Sequence, residues 1–188
     1  MAEIKETAVI ILATAVSRFL AIVVCASLTS FYSAEKWPAL YYYPAAAIDI
    51  ITLIALGYPA AIGVTIGCFV WNLAMLDMSL FEQLKFVLLA LGRGVVSLWI
   101  FLRFVAPELR AGWTAVSLRH ILVFTAIYSA VTAVGYLGLF QSHNLSHGEV
   151  LIQGVSLFVG AAGGGLAGFV ALNLGFSAAL SRRLKKDE

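Results

Sequence analysis

Apolar residues run along this chain in long blocks without strict alternation, and Pro, Gly and charged residues cut the blocks at short intervals. Read against those breaks, the blocks predict helices near 7–29, 38–56, 59–77, 84–106, 118–140 and 150–178. Each approaches or exceeds the roughly 20 residues that carry a helix across about 30 Å of hydrocarbon. A barrel would alternate over ten-residue segments, and that pattern is missing from the sequence. The expected fold is all-α, a single integral membrane bundle of six transmembrane helices over 1–188. Only Leu56, Gly57, Tyr58 and Pro59 separate the second and third helices, so an antiparallel hairpin there is the most secure local contact.

Composition agrees with the pattern. With 62% hydrophobic and 12% charged residues and a mean hydropathy of +0.97, the chain lies far from a soluble globular domain. The spans consume nearly all of the 188 residues. Any catalytic or signalling output is therefore expected inside the bundle or on another chain. The first apolar run is too long for a secretory h-region, so it is expected to stay as a helix.

Charge then orients the bundle. With the N-terminus inside, Lys5, Arg103, Arg110, Arg119, Arg182, Arg183, Lys185 and Lys186 are cytoplasmic, and only Lys36 and Lys85 lie outside. The positive-inside rule thus predicts both termini cytoplasmic, N-in and C-in. The outer entrance to the second helix carries Phe31, Tyr32, Trp37, Tyr41, Tyr42 and Tyr43, an aromatic rim suited to the interface or, alternatively, to a lid over a pocket.

Three ionisable residues interrupt the apolar blocks. Arg18, Asp49 and Arg93 each sit mid-span, at roughly 13 to 17 Å below the outer boundary for a rise of about 1.5 Å per residue. A charge at that depth is costly unless paired, so each needs a partner. The plainer reading is a structural ion pair or triad in which Asp49 accepts from one or both arginines. The sharper one is that the surplus positive charge holds a small anionic ligand, or that Asp49 takes up a proton. The structural reading is preferred, since one acid beside two arginines is already largely compensated.

Other polar and small residues suggest packing. Asn72 and Asn173 suit hydrogen bonds between helices. Gly92 and Gly94 flank Arg93 and leave room for another helix or a ligand. Gly160, Gly164 and Gly168 repeat along the sixth helix, and Gly63 and Gly67 along the third. Such strips let helices approach closely, so the third and sixth helices are expected to pair, with a homodimer seam as the alternative. Cys25 and Cys68 are expected to serve in packing.

Several chemistries lack support. His143 and His147, with Glu149, are four apart without a fixed third ligand, so no metal is assigned. His120 beside Arg119 fits a surface position. No Walker or Rossmann glycine motif occurs, and no nucleophile stands with a base, so neither an enzyme nor a cofactor is expected. The basic end from Arg182 to Lys186 is short and juxtamembrane, which suits contact with an anionic bilayer and not nucleic acid.

The segment from Tyr43 to Asn72 runs Tyr-Pro-Ala-Ala-Ala, then Leu56-Gly57-Tyr58-Pro59-Ala60, then Ile66-Gly67 and Trp71-Asn72. It resembles the first-described class of bacterial membrane-associated sensor (MASE) domains, with Pro44, Gly57, Pro59, Gly67 and Asn72 at matching positions. Arg93 to Arg103 followed by Pro107 is similar to the family's arginine-bearing helix and basic turn. Asp49 lies outside that motif. The resemblance implies a bacterial cytoplasmic (inner) membrane module that senses a small ligand or binds another integral membrane protein. Without an effector of its own, it would act through helix contacts with that partner. The alternatives are a six-helix substrate-binding subunit of a transporter, like the capturing components of energy-coupling-factor systems, and a structural accessory subunit of a membrane complex.

Overall fold

A computed structural model describes residues 2–29, 43–75, 79–111, 117–140 and 147–184. Among these there is no strand. The helices are α1 (Ala2–Thr29), α2 (Tyr43–Leu56), α3 (Tyr58–Met75), α4 (Leu80–Ile100), α5 (Leu118–Phe140) and α6 (His147–Leu184). Three are long and apolar enough to cross a membrane, over Ile4–Ser27, Leu80–Val105 and Leu118–Gly138. Ala45–Leu56, Tyr58–Ala74 and Gly154–Val170 are apolar but shorter.

Local chemistry sets the helix ends. Gly57 takes a positive φ of 68°, open to a residue without a Cβ, and its N–H donates to Leu53 O at 2.9 Å. Its carbonyl then accepts from Ala60 N, so one residue closes α2 and opens α3. Pro59 falls in the first turn of α3, where an N–H has no helical acceptor. Ser79 and Glu82 form a reciprocal capping box at the start of α4. At its far end α4 widens into a π turn, Phe101–Val105, where Ala106 N donates to Phe101 O. Pro107 follows and disfavours helical geometry at Ala106, which ends the run before the short 3-10 turn Pro107–Ala111.

The helices form a ring in the order α1, α3, α4, α5, α6, α2, and α2 also reaches α3, α4 and α5. Thus α2 touches every other helix. Its residues Ala45, Ala46, Ala47, Asp49, Ile50, Leu53 and Ile54 are buried, as expected of a helix apolar nearly all round. Ile50, Leu53, Leu98, Phe101, Phe124 and Tyr128 join in one core on the Gly57 side of Asp49. The exterior is apolar too: Val9, Leu12, Val16, Leu20 and Val24 line the outer face of α1, and Leu84, Leu88 and Val95 are exposed on α4.

Two expectations about neighbours change. The α2–α3 hairpin exists, but α3 packs chiefly against α1 and α2 chiefly against α6. A turn fixes that two helices are adjacent, whereas side-chain size decides which faces close. The glycine strips of α3 and α6 do not face one another. A Cβ on Gly63 would lie 2.5 Å from Ile11 O and 2.7 Å from Thr14 Cβ, so this strip seats α1. A Cβ on Gly165 would lie 2.6 Å from Ile50 and 3.0 Å from Thr125, and one on Gly168 would overlap the Ala47 methyl, so α6 closes on α2 and α5. Gly160 and Gly164 are buried in the same helix.

Candidate functional site

Five helices bring polar side chains to one buried point. On α1, Thr14, Arg18 and Cys25 share the inward face. Gly67 of α3 lies so close to the Arg18 stem that a Cβ there would be 2.9 Å from Arg18 Cβ. Bare backbone at that position makes room for the long side chain. Asp49 projects from α2 with no exposed surface, and Arg18 is 1% and Arg93 4% exposed. Gly94, next to Arg93, faces Ala61 of α3 and brings α4 in close.

Asp49 is the hub. Its Oδ2 accepts from Arg93 Nη2 at 3.3 Å and from the Tyr128 hydroxyl of α5 at 2.5 Å. Its Oδ1 stands 3.1 Å from Arg18 Nη1. That contact is an ion pair by distance only: neither atom has an aligned hydrogen-bond partner among the described residues. Cys68 of α3 accepts from Arg18 Nε at 3.3 Å and from Arg93 Nη2 at 3.6 Å. The Arg93 guanidinium also lies 5.7 Å from the Tyr128 ring centroid, within cation–π range. Ser97, one turn beyond Arg93, is wholly buried, and its hydroxyl has no partner among the described residues.

Among the described residues of the cluster, two guanidiniums stand against one carboxylate, a count one positive charge in excess. In a low-dielectric interior that excess acts over a longer range than it would in water. Asp49 already takes two aligned donors and a guanidinium contact. Cys68 accepts from both arginines. Among the described residues no three His, Cys, Asp or Glu side chains cluster as metal ligands. The arrangement can therefore lock helices and attract negative charge.

An aromatic column links the cluster to one end of the bundle. Tyr128 lies beside Phe124, Phe124 meets Phe101 edge-on at 5.2 Å, and Phe101 meets His120 at 6.0 Å. His120 Nε2 is 3.5 Å from Glu108 Oε1. An open groove of about 540 Å³ runs between α4 and α5, with Arg93 among its lining residues. A Cβ added at Gly92 or Gly138, both in its wall, would meet nothing within 4 Å. The two glycines flanking Arg93 thus differ: Gly94 seats a helix and Gly92 borders open space.

The remaining sequence-derived positions scatter. Asn72 is buried in α3, one helical turn beyond Cys68. Asn173 lies on α6 and Tyr43 opens α2, where only their backbone is described. Trp37, Tyr41, Tyr42 and His143 lie outside the described residues. Sequence reasoning passed over Tyr128, Ser97 and the role of Cys68, which does more than fill space. A signal for Tyr128 was present: Thr125, Tyr128, Ser129 and Thr132 make a polar stripe at helical spacing, all of it buried.

The fold and site define an all-helical bundle with an apolar exterior and a buried, net-positive charge cluster. No family model, curated protein or solved structure matches the chain.

Proposed function

We propose that this chain is a multi-pass bacterial inner-membrane protein with six spans and both termini cytoplasmic. In that setting it works as a non-enzymatic sensory or partner-binding module, passing conformational change to another integral membrane protein through helix contacts. The observation that carries the reading is the meeting of Arg18, Cys68, Arg93 and Tyr128, from four helices, around Asp49 of α2. A helix that touches all the others and is held by one charge cluster can couple a local event to the whole bundle. A ligand or partner that favours one packing would bias its equilibrium by differential contact. The short α2 suits this place, since its neighbours and not lipid surround it. The bias of Lys and Arg toward one set of ends supports the orientation.

The topology is tested with alkaline phosphatase and fluorescent-protein fusions after residues 78, 112, 144 and 188. Phosphatase activity at 78 and 144 and fluorescence at 112 and 188 are expected; the reverse pattern sinks the orientation. The module reading is tested by crosslinking in native membranes, followed by reconstitution with the purified partner. One stoichiometric membrane partner whose activity responds to Asp49→Asn in this chain supports it. An isolated chain that catalyses a reaction, or a partner indifferent to that variant, counts against it.

A further inference from the structure

The helices α4 and α5 begin with the same device built from different chemistry. At α4, Ser79 N donates to Glu82 Oε2 at 3.1 Å and Glu82 N to Ser79 Oγ at 3.3 Å. At α5, Ser117 precedes Leu118 and a histidine takes the place of the glutamate: His120 N donates to Ser117 Oγ at 3.4 Å, and Ser117 N donates to His120 Nδ1 at 3.3 Å. A carboxylate keeps its acceptor lone pairs through the physiological range. Imidazole does not, because histidine ordinarily changes charge between about pH 5 and 8.

The bond fixes the tautomer of the ring. A backbone N–H can only donate, so Nδ1 is bare and the ring hydrogen sits on Nε2, which lies 3.5 Å from Glu108 Oε1 on the Pro107–Ala111 turn. Neutral His120 thus joins two elements, capping α5 with one nitrogen and facing the turn with the other. Protonation puts a second hydrogen on Nδ1, where it meets the Ser117 N–H, and places a cation in the first turn of α5 beside the positive end of the helix dipole. The pair with Glu108 gains charge, but the Glu108 side chain is 59% exposed, so water screens much of that gain. Few other charges surround the ring. Arg110 belongs to the same turn, Arg103 on the π turn and Arg119 on α5 are exposed, and α6 brings no charge among its described side chains. Asp49 of α2 and Arg93 of α4 stand beyond Phe124 along the aromatic column, and Glu82 and Lys85 lie near the opposite end of α4.

We infer that His120 is a proton-operated latch: neutral, it holds the start of α5 against the Pro107–Ala111 turn, and protonated, it releases the Ser117 cap. His120 also meets Phe101 edge-on at 6.0 Å, where the π turn begins, and Phe101 and Phe124 carry that contact to Tyr128 and so to Asp49. Single π turns of this kind frequently sit at functional positions. The inference rests on the membrane reading proposed above and supplies a stimulus for its sensory role, a fall in cytoplasmic pH.

NMR of the full chain in micelles, titrated between about pH 8 and pH 5, tests it. At the alkaline end the ring nitrogens should report hydrogen on Nε2 alone. As the ring takes up a proton, protection of the Ser117 amide against solvent exchange, corrected for the intrinsic rate, should fall about fivefold, while the Ser79 amide, held by Glu82, keeps its protection. His120→Asn puts an oxygen acceptor near the place of Nδ1 and cannot titrate, so Ser117 should stay protected across the range. Tyr128 ring signals should shift with the midpoint of the His120 titration in the unaltered protein and stay fixed in the variant. Hydrogen on Nδ1 at the alkaline end, a Ser117 amide indifferent to ring titration, or an equal loss in His120→Asn overturns the latch; unmoved Tyr128 signals overturn its link to the charge cluster. If His120→Asn fails to fold, the contrast of Ser117 with Ser79 in the unaltered protein decides alone. The fusion topology separates the two proposals: correct topology with an indifferent Ser117 removes the latch and leaves the membrane reading standing, whereas reversed topology overturns the cytoplasmic stimulus.

Discussion

The Tyr128 hydroxyl donates to Asp49 Oδ2 across 2.5 Å, although the two residues are 79 positions apart and lie on α5 and α2. The same oxygen accepts from Arg93, so one carboxylate atom ties α2 to two neighbours. Removing the phenol while keeping the ring isolates this bond. Tyr128→Phe is expected to lower stability by about 1.5 kcal/mol, between values for charged hydrogen bonds in general and those measured in membranes. Reversible unfolding in mixed micelles gives the number, and an unchanged midpoint would show that the contact adds nothing.

Among the described residues Asp49 is the one anion that meets both arginines. Asp49→Asn leaves two buried guanidiniums without a counter-charge and should cost about 3–5 kcal/mol. The double variant Asp49→Asn/Arg93→Gln restores the native net charge, and about 1–2 kcal/mol should return relative to additivity. Thermal melts of the four proteins in this cycle check it. Strict additivity would refute the electrostatic lock.

Glycine positions offer a contrast between packed and open sites. At Gly67 a Cβ would sit 2.6 Å from Ala15 O, a backbone atom that cannot swing aside, so α1 must move away and Arg18 with it. Gly67→Ala should therefore cost about 1–3 kcal/mol. Gly92→Ala meets nothing and should be neutral, or stabilising by up to about 1 kcal/mol through helix propensity. A matched pair of melting curves distinguishes the two, and equal shifts would contradict the close approach of α1 and α3.

The start of α4 depends on the Ser79 and Glu82 exchange, with Glu82 N donating to Ser79 Oγ at 3.3 Å and Ser79 N to Glu82 Oε2 at 3.1 Å. Ser79→Ala should cost about 1 kcal/mol. Because this end lies away from the charge cluster, amide exchange should speed up in the first turn of α4 while Arg93 and its neighbours stay protected. Faster exchange throughout α4 would argue against a local cap.

Much of the secondary structure was legible because apolar blocks and their breaks are one-dimensional signals. Gly57 and Pro59 marked the α2–α3 turn, and the mid-span positions of Arg18, Asp49 and Arg93 placed all three at similar depth. The pairing of α3 with α6 through glycines was not legible correctly. Small residues announce a close contact without naming its partner, and here α1 and α2 took those places.

The sequence by itself determined that the chain is helical, where apolar blocks begin and end, and that two cations and one anion must find one another away from water. The tertiary structure decided the rest: that α2 is central, that both arginines converge on Asp49, and that Tyr128 and Cys68 join them. It also decided that one glycine beside Arg93 is closed by α3 and the other left open. Periodicity and composition constrain each helix along its own axis. The rotation of a helix about that axis, and the choice of its neighbours, emerge only when side chains of particular sizes compete for the same space.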